Sequence, residues 1–210
     1  HTTIGEMDHL DAASLDEFLA FNKKYYIPNN AILVVAGDIQ IDATKKMIAD
    51  YFGAIPKGAD VNRVAEKEDP ITEAIEAKAY DSNIQIPAVV AAYRMPSIKT
   101  RDSKVLDMIS TYLSDGNSSK LYRKMVDEKK MALQVGAFNV SQEDYGMYLI
   151  FGLPLGETSL ESIITEIDEE VVKIQEDLIS EKDYQKLQNK FETNFVDSNS
   201  SVEGIANSLA

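Results

Sequence analysis

Two imidazoles, His1 and His9, and no thiol at all are what these 210 residues offer for zinc or cysteine chemistry. Hydrolytic zinc sites of the helical kind need two His one helical turn apart, as in H-E-x-x-H or H-x-x-E-H. His1 and His9 stand in neither pattern. His9 is flanked by Glu6, Asp8 and Asp11, and a surface imidazole among carboxylates is ordinarily just solvated. The absence of Cys removes disulfides, thiolate zinc sites and Cys nucleophiles together. Serines are common, but no G-x-S-x-G element positions one as a nucleophile. Gly37-Asp38 lacks the G-x-x-x-x-G-K of a phosphate loop and reads as a turn after a strand. The residues alone therefore name no catalytic and no metal-binding side chain in this segment.

Carboxylates are abundant: 35 acidic against 21 basic residues give a net charge of −14. Such a surface repels phosphate backbones and argues against nucleic acid as a partner. Glu66-Lys67-Glu68-Asp69 lies in a polar connection. Asp127-Glu128-Lys129-Lys130 reads as a charged helix end. Glu166, Asp168, Glu169 and Glu170 fall on the polar side of a strongly amphipathic helix, which predicts a solvated face. No apolar run approaches the ~18 residues of a membrane helix, so no membrane insertion is expected. The start at His1-Thr2-Thr3, without initiator Met or apolar leader, predicts an internal fragment, and no compartment can be assigned.

The elements that would position these groups can be read from periodicity. Ser14 and Glu17 form a capping box ahead of Leu15, Phe18 and Leu19, and Pro28 closes that helix. Ala31 to Ala36 is an unbroken apolar run, which predicts a strand covered on both faces. Asp42 opens a helix whose Met47, Ile48, Tyr51 and Phe52 are expected to face inward, with Gly53 as its stop. Residues 57–72 read as a linker, and Glu73 to Tyr80 alternates polar and apolar residues. A strand is expected from Ile84 to Tyr93, with Pro87 marking an edge or bulge. A helix capped by Asp102 ends at Asp115-Gly116-Asn117, and Ser118 opens a short one carrying Leu121, Tyr122 and Met125. Ala132–Val140 and Tyr145–Leu153 predict a hairpin. Two helices follow, from Leu160 to Leu178 and beyond Ser180. The class is α+β, with helices packed on sheets.

Several pieces in order resemble one family. Ile4-Gly5, the Tyr26/Pro28/Asn30 turn, Gly37-Asp38, Tyr51-Phe52-Gly53 with Ile55-Pro56, Tyr93 to Ser97, and Leu113 to Val135 are similar to the insulinase/pitrilysin zinc metallopeptidases, which include mitochondrial processing peptidases. The resemblance implies mixed sheets with helices on one side, in two similar units. Residues 1–56 would end the first unit, 57–72 would link, and 73–210 would form most of the second. It implies zinc in the parent protein, held by an H-x-x-E-H upstream, and none bound by this segment. It implies a peptide substrate and a second homologous half on the same or another chain. The family's substrate-contacting Arg and Tyr match Val126 and Leu133 here, so no substrate-binding residue carries over. Two functions follow: part of a zinc endopeptidase, or a non-catalytic scaffold or binding half.

Overall fold

The computed structural model describes residues 5–63 and 69–210. Ile4, His1 and the Glu66-Lys67-Glu68 stretch named above lie outside the described residues. The chain divides into two compact units, unit 1 comprising residues 1–64 with 193–210, and unit 2 comprising residues 65–192.

Unit 1 is helical among its described residues: α1 (Met7–Ala12), α2 (Leu15–Tyr25), a 3₁₀ turn (Pro28–Asn30), α3 (Ile41–Phe52) and α7 (Val202–Leu209). The capping box of α2 forms as the sequence predicts, with the Ser14 side chain accepting from the Glu17 amide and Glu17 accepting from the Ser14 amide. Asn29 organises the turn after α2. Its Oδ1 accepts from the Gly58 amide at 3.0 Å, and the Asn30 amide group donates to the Tyr25 carbonyl at 2.9 Å.

The expectation for Ala31 to Ala36 is overturned. The segment leads off in extended backbone at Ala31 but pairs with no strand among the described residues. Ile32 is 78% exposed, Leu33 58% and Val35 43%, so neither face is covered. The reason is non-local: a run of this kind becomes a buried strand only where neighbours supply ladder partners and covering layers. The inward face expected for α3 is corrected likewise, because Met47, Tyr51 and Phe52 are exposed. No described residue of unit 1 is buried.

Unit 2 holds the core. Its sheet consists of β1 (Val89–Met95), β2 (Ala132–Val140) and β3 (Gly146–Pro154), all antiparallel, in the order β1-β3-β2. The strand expected from Ile84 begins only at Val89, beyond Pro87, which has no amide hydrogen to give a ladder. Against the sheet pack α4 (Arg101–Ser114), a π-helical segment (Tyr122–Glu128) and α5 (Leu160–Glu176), and α6 (Glu181–Ser198) follows. Thr100 rather than Asp102 caps α4, accepting from the Ser103 amide; Asp102 sits in the first turn, where its charge opposes the helix dipole.

One face of the sheet supplies Met95, Val135, Ala137, Tyr148 and Ile150 to a core completed by Leu113, Leu121, Met125, Ile163 and Ile167. Gly152 lets α5 approach, since a Cβ there would lie 2.4 Å from the Ile163 side chain. Ser114 at the end of α4 closes the outer edge of β2: its Oγ accepts from the Ala137 amide at 2.8 Å and donates to the Ala137 carbonyl at 3.0 Å. The expected α+β class, with helices on one side of the sheet, holds.

Candidate functional site

The segment from Tyr122 to Gln134 concentrates the unusual features of unit 2. It follows the α4 stop at Asp115 and is anchored by Leu121, immediately before it, and Met125, both fully buried. Those anchors account for the helix expected there. Its pitch is wide: the Lys129 amide donates to the Lys124 carbonyl five residues back, and the Met131 amide to Met125. Wide helical turns of this sort collect at functional sites. Lys130 then takes φ +50°, the left-handed region that costs a side-chain-bearing residue about 1–2 kcal/mol. The register of β2 shifts between Ala132 and Gln134, a bulge that sets Leu133 outward at 47% exposure.

Val126 and Leu133 are thereby placed differently. Val126 packs against the core, whereas Leu133 is presented at the bulge. Neither side chain can donate a hydrogen bond or carry charge.

An ion network pins the π-helical segment to α5. Lys124 Nζ lies 2.8 Å from Glu166, 2.8 Å from Glu169 and 3.0 Å from Glu170. Lys129 also pairs with Glu166, and Lys173 with Glu170 at 2.6 Å. Only 15% of the Lys124 side chain is exposed, and 12% and 9% of Glu166 and Glu170. Burial alone would pull the Lys124 ammonium down, but the hydrogen bonds it donates to Glu166, Glu169 and Glu170 outweigh that and hold the group above the ordinary lysine value. Burial likewise would raise Glu166 and Glu170. Lys124 and Lys129 keep Glu166 below the usual carboxylate value, and Lys173 and Lys124 do so for Glu170. The solvated face expected for this acidic cluster is therefore corrected for Glu166 and Glu170. The signal was present in part: positions 166, 169 and 170 share one side of a helix at i, i+3, i+4 spacing. Their cation comes from a different element.

Chemically, these carboxylates serve an ammonium. They are not an open cradle for a divalent ion, and among the described residues no group of three or more His, Cys, Asp or Glu is arranged to hold a metal. His9 lies on α1, exposed. A recess beside α5 is lined by Tyr112, Lys120, Glu170, Lys173 and Asp177. Of its lining residues Lys120 pairs with Asp183 at 3.0 Å and Lys173 with Glu170, so its cations are held in structural ion pairs. Among the described residues no helix is long and apolar enough to cross a membrane.

The chain belongs to the peptidase M16 family, whose inactive-domain model matches residues 12–191. It is 27% identical over 210 residues to the zinc protease PqqE of Helicobacter pylori, covering 97% of this chain and 47% of that protein. A solved protease structure from Helicobacter pylori superposes with a TM-score of 0.79 at 25% identity, over 97% of this chain and 50% of the other. A solved M16 inactive domain from Pseudomonas fluorescens gives a TM-score of 0.76 at 16% identity, over 100% and 49%, which supports the fold. The chain thus spans about half the length of these relatives. The resemblance read from the motifs is confirmed at the level of the family.

Proposed function

We propose that this chain is the non-catalytic segment of a zinc-dependent metalloendopeptidase that degrades or processes peptides, with the zinc site elsewhere in the parent protein. The observation that carries this reading is the match to the inactive domain over residues 12–191, in relatives named zinc proteases that are about twice as long. When bound, zinc would polarise the scissile carbonyl and acidify water. The described residues of this chain do not fit such an ion: one imidazole stands alone, and the convergent carboxylates are paired with Lys124, Lys129 and Lys173. The segment contributes structure and peptide-facing surface.

In the same reading, residues 1–56 complete a first peptidase-like unit, 57–72 connect, and 73–210 form most of a second. The exposed apolar residues of unit 1, including Leu33, Val35 and Phe52, support it: such a surface is expected to be covered by the rest of a first unit. A second homologous half, on the same or another chain, is the partner this implies.

A second reading is favoured by Val126 and Leu133. A half with aliphatic side chains at both positions could serve as a scaffold that binds peptide without assisting its cleavage. The experiment is a peptide-hydrolysis assay of the parent with a chelator and zinc re-addition. Chelator-sensitive cleavage supports the peptidase; binding without cleavage supports the scaffold.

A further inference from the structure

The wide pitch at Tyr122–Glu128 has no cause in its own sequence, whose anchors Leu121 and Met125 suit an ordinary α-helix equally well. Turns closed by a bond to the fifth residue back are rare and come mostly as single turns. The chain then passes through Lys130 at φ +50°, a second unfavourable feature. Both are tied down. The Met131 amide donates to the Met125 carbonyl at 2.9 Å, and the Met131 carbonyl accepts from the Leu155 amide at 2.9 Å. Met125 and Ala132, on either side of the turn, are buried.

Charge supplies the cause. Glu166 on α5 bridges two lysines, taking Lys124 on Oε2 and Lys129 on Oε1. These are also the two residues whose backbone closes the wide turn, the Lys129 amide donating to the Lys124 carbonyl at 3.0 Å. At 3.6 residues per turn, side chains five apart stand about 140° from one another around the helix axis. A turn closed on the fifth residue instead stacks them on one side, where a single carboxylate can meet both. Arg123 and Glu128 repeat the spacing at 3.4 Å, but both are exposed and such a pair contributes little. Glu166 is well buried, so its second lysine matters more.

A contact chooses between two conformations only if it differs between them. Lys124 is the fixed point, held on Glu166, Glu169 and Glu170, and Lys173 lies on α5 itself. Of the three lysines in the network, only Lys129 depends on the pitch. At the α pitch the Lys124 carbonyl would take the Glu128 amide, and Lys129 would leave Glu166 and join the turn. We propose that Lys129 is a positioning residue: its pairing with Glu166 selects the wide pitch and thereby sets the left-handed turn through which the chain enters β2. The inference stands on unit 2 alone and does not depend on the peptidase reading.

The test uses the intact parent protein with Lys129→Met, Lys129→Arg and, as a control, Lys99→Met, which removes the exposed Lys99–Glu143 pair. The Lys129 side chain is 46% exposed, so replacing it leaves the core intact. Amide hydrogen exchange is followed at positions 129 and 131 and, as the reference, at Ala137, whose amide donates to Ser114. Lys129→Met should speed exchange at 129 and 131 about tenfold and leave Ala137 unchanged. Lys129→Arg and Lys99→Met should keep the parent's rates at all three. A crystal structure of Lys129→Met should show the Glu128 amide on the Lys124 carbonyl and position 130 out of the left-handed region. The proposal is overturned if the wide pitch persists in that structure, or if Lys129→Met leaves exchange unchanged or raises it equally at Ala137. It is overturned equally if Lys129→Arg or Lys99→Met behaves as Lys129→Met does.

Discussion

Lys124 is the residue whose removal should be felt most. Its ammonium is the common partner of Glu166, Glu169 and Glu170, two of them well buried. Lys124→Met would leave those carboxylates facing one another with fewer cations. Breaking a buried pair by deleting one partner costs about 3–5 kcal/mol. Denaturant unfolding of Lys124→Met should show a loss of that order, smaller to the extent that Lys129 and Lys173 take over. Its pH dependence has a definite sign. Glu166 and Glu170 have folded values below their ordinary 4.5, so their contribution is complete above 4.5 and is lost as pH falls through the lowered values. Lys124 is raised above its ordinary 10.5, so its contribution is complete below 10.5 and lost only as pH rises past the raised value. Stability from the network should therefore be flat between those limits and fall on the acid side. The variant should lose most of that acid slope. Lys130 tests the opposite direction. Its φ of +50° favours glycine, and relief of strain offset by glycine's greater unfolded freedom leaves Lys130→Gly more stable by about 0.5–1 kcal/mol. A lower unfolding midpoint would show that the lysine side chain stabilises the turn by more than the strain.

Elements set by local rules were legible in the sequence; those set by distant partners were not. The α2 capping box, the stop at Asp115, the hairpin from Ala132 to Pro154 and the amphipathic α5 all follow from spacing within a dozen residues, and all formed. The π-helical pitch at Tyr122–Glu128 left no trace in the pattern, because one extra residue per turn preserves Leu121 and Met125 as anchors. The Lys124 network was missed because Lys124 and Glu169 are 45 residues apart. Family membership was readable, because the turns around Pro28, Gly37 and Gly53 retain their order and spacing. The run from Ala31 to Ala36 gives a direct test of the element scale. In this chain alone Leu33 is exposed, so Leu33→Asp should shift stability by no more than about 0.5 kcal/mol. In the parent, where the proposed first unit covers it, the same change should cost several kcal/mol, since it would bury an unpaired carboxylate. Equal, small effects in both proteins would refute the covering.

At the scale of the whole molecule, unit 2 holds the buried core of helices on a sheet, and unit 1 has no buried residue among those described. The chain covers about half the length of the zinc proteases it matches, which supports the proposal that the parent's chemistry lies outside these residues. The most direct measurement compares hydrolysis of an unstructured peptide by the parent protein and by this chain, each with zinc, with a chelator, and with zinc restored. The account expects cleavage by the parent that the chelator abolishes and zinc restores, and none by the chain under any condition. Zinc-dependent cleavage by the chain alone, or cleavage by the parent that a chelator leaves untouched, would contradict it.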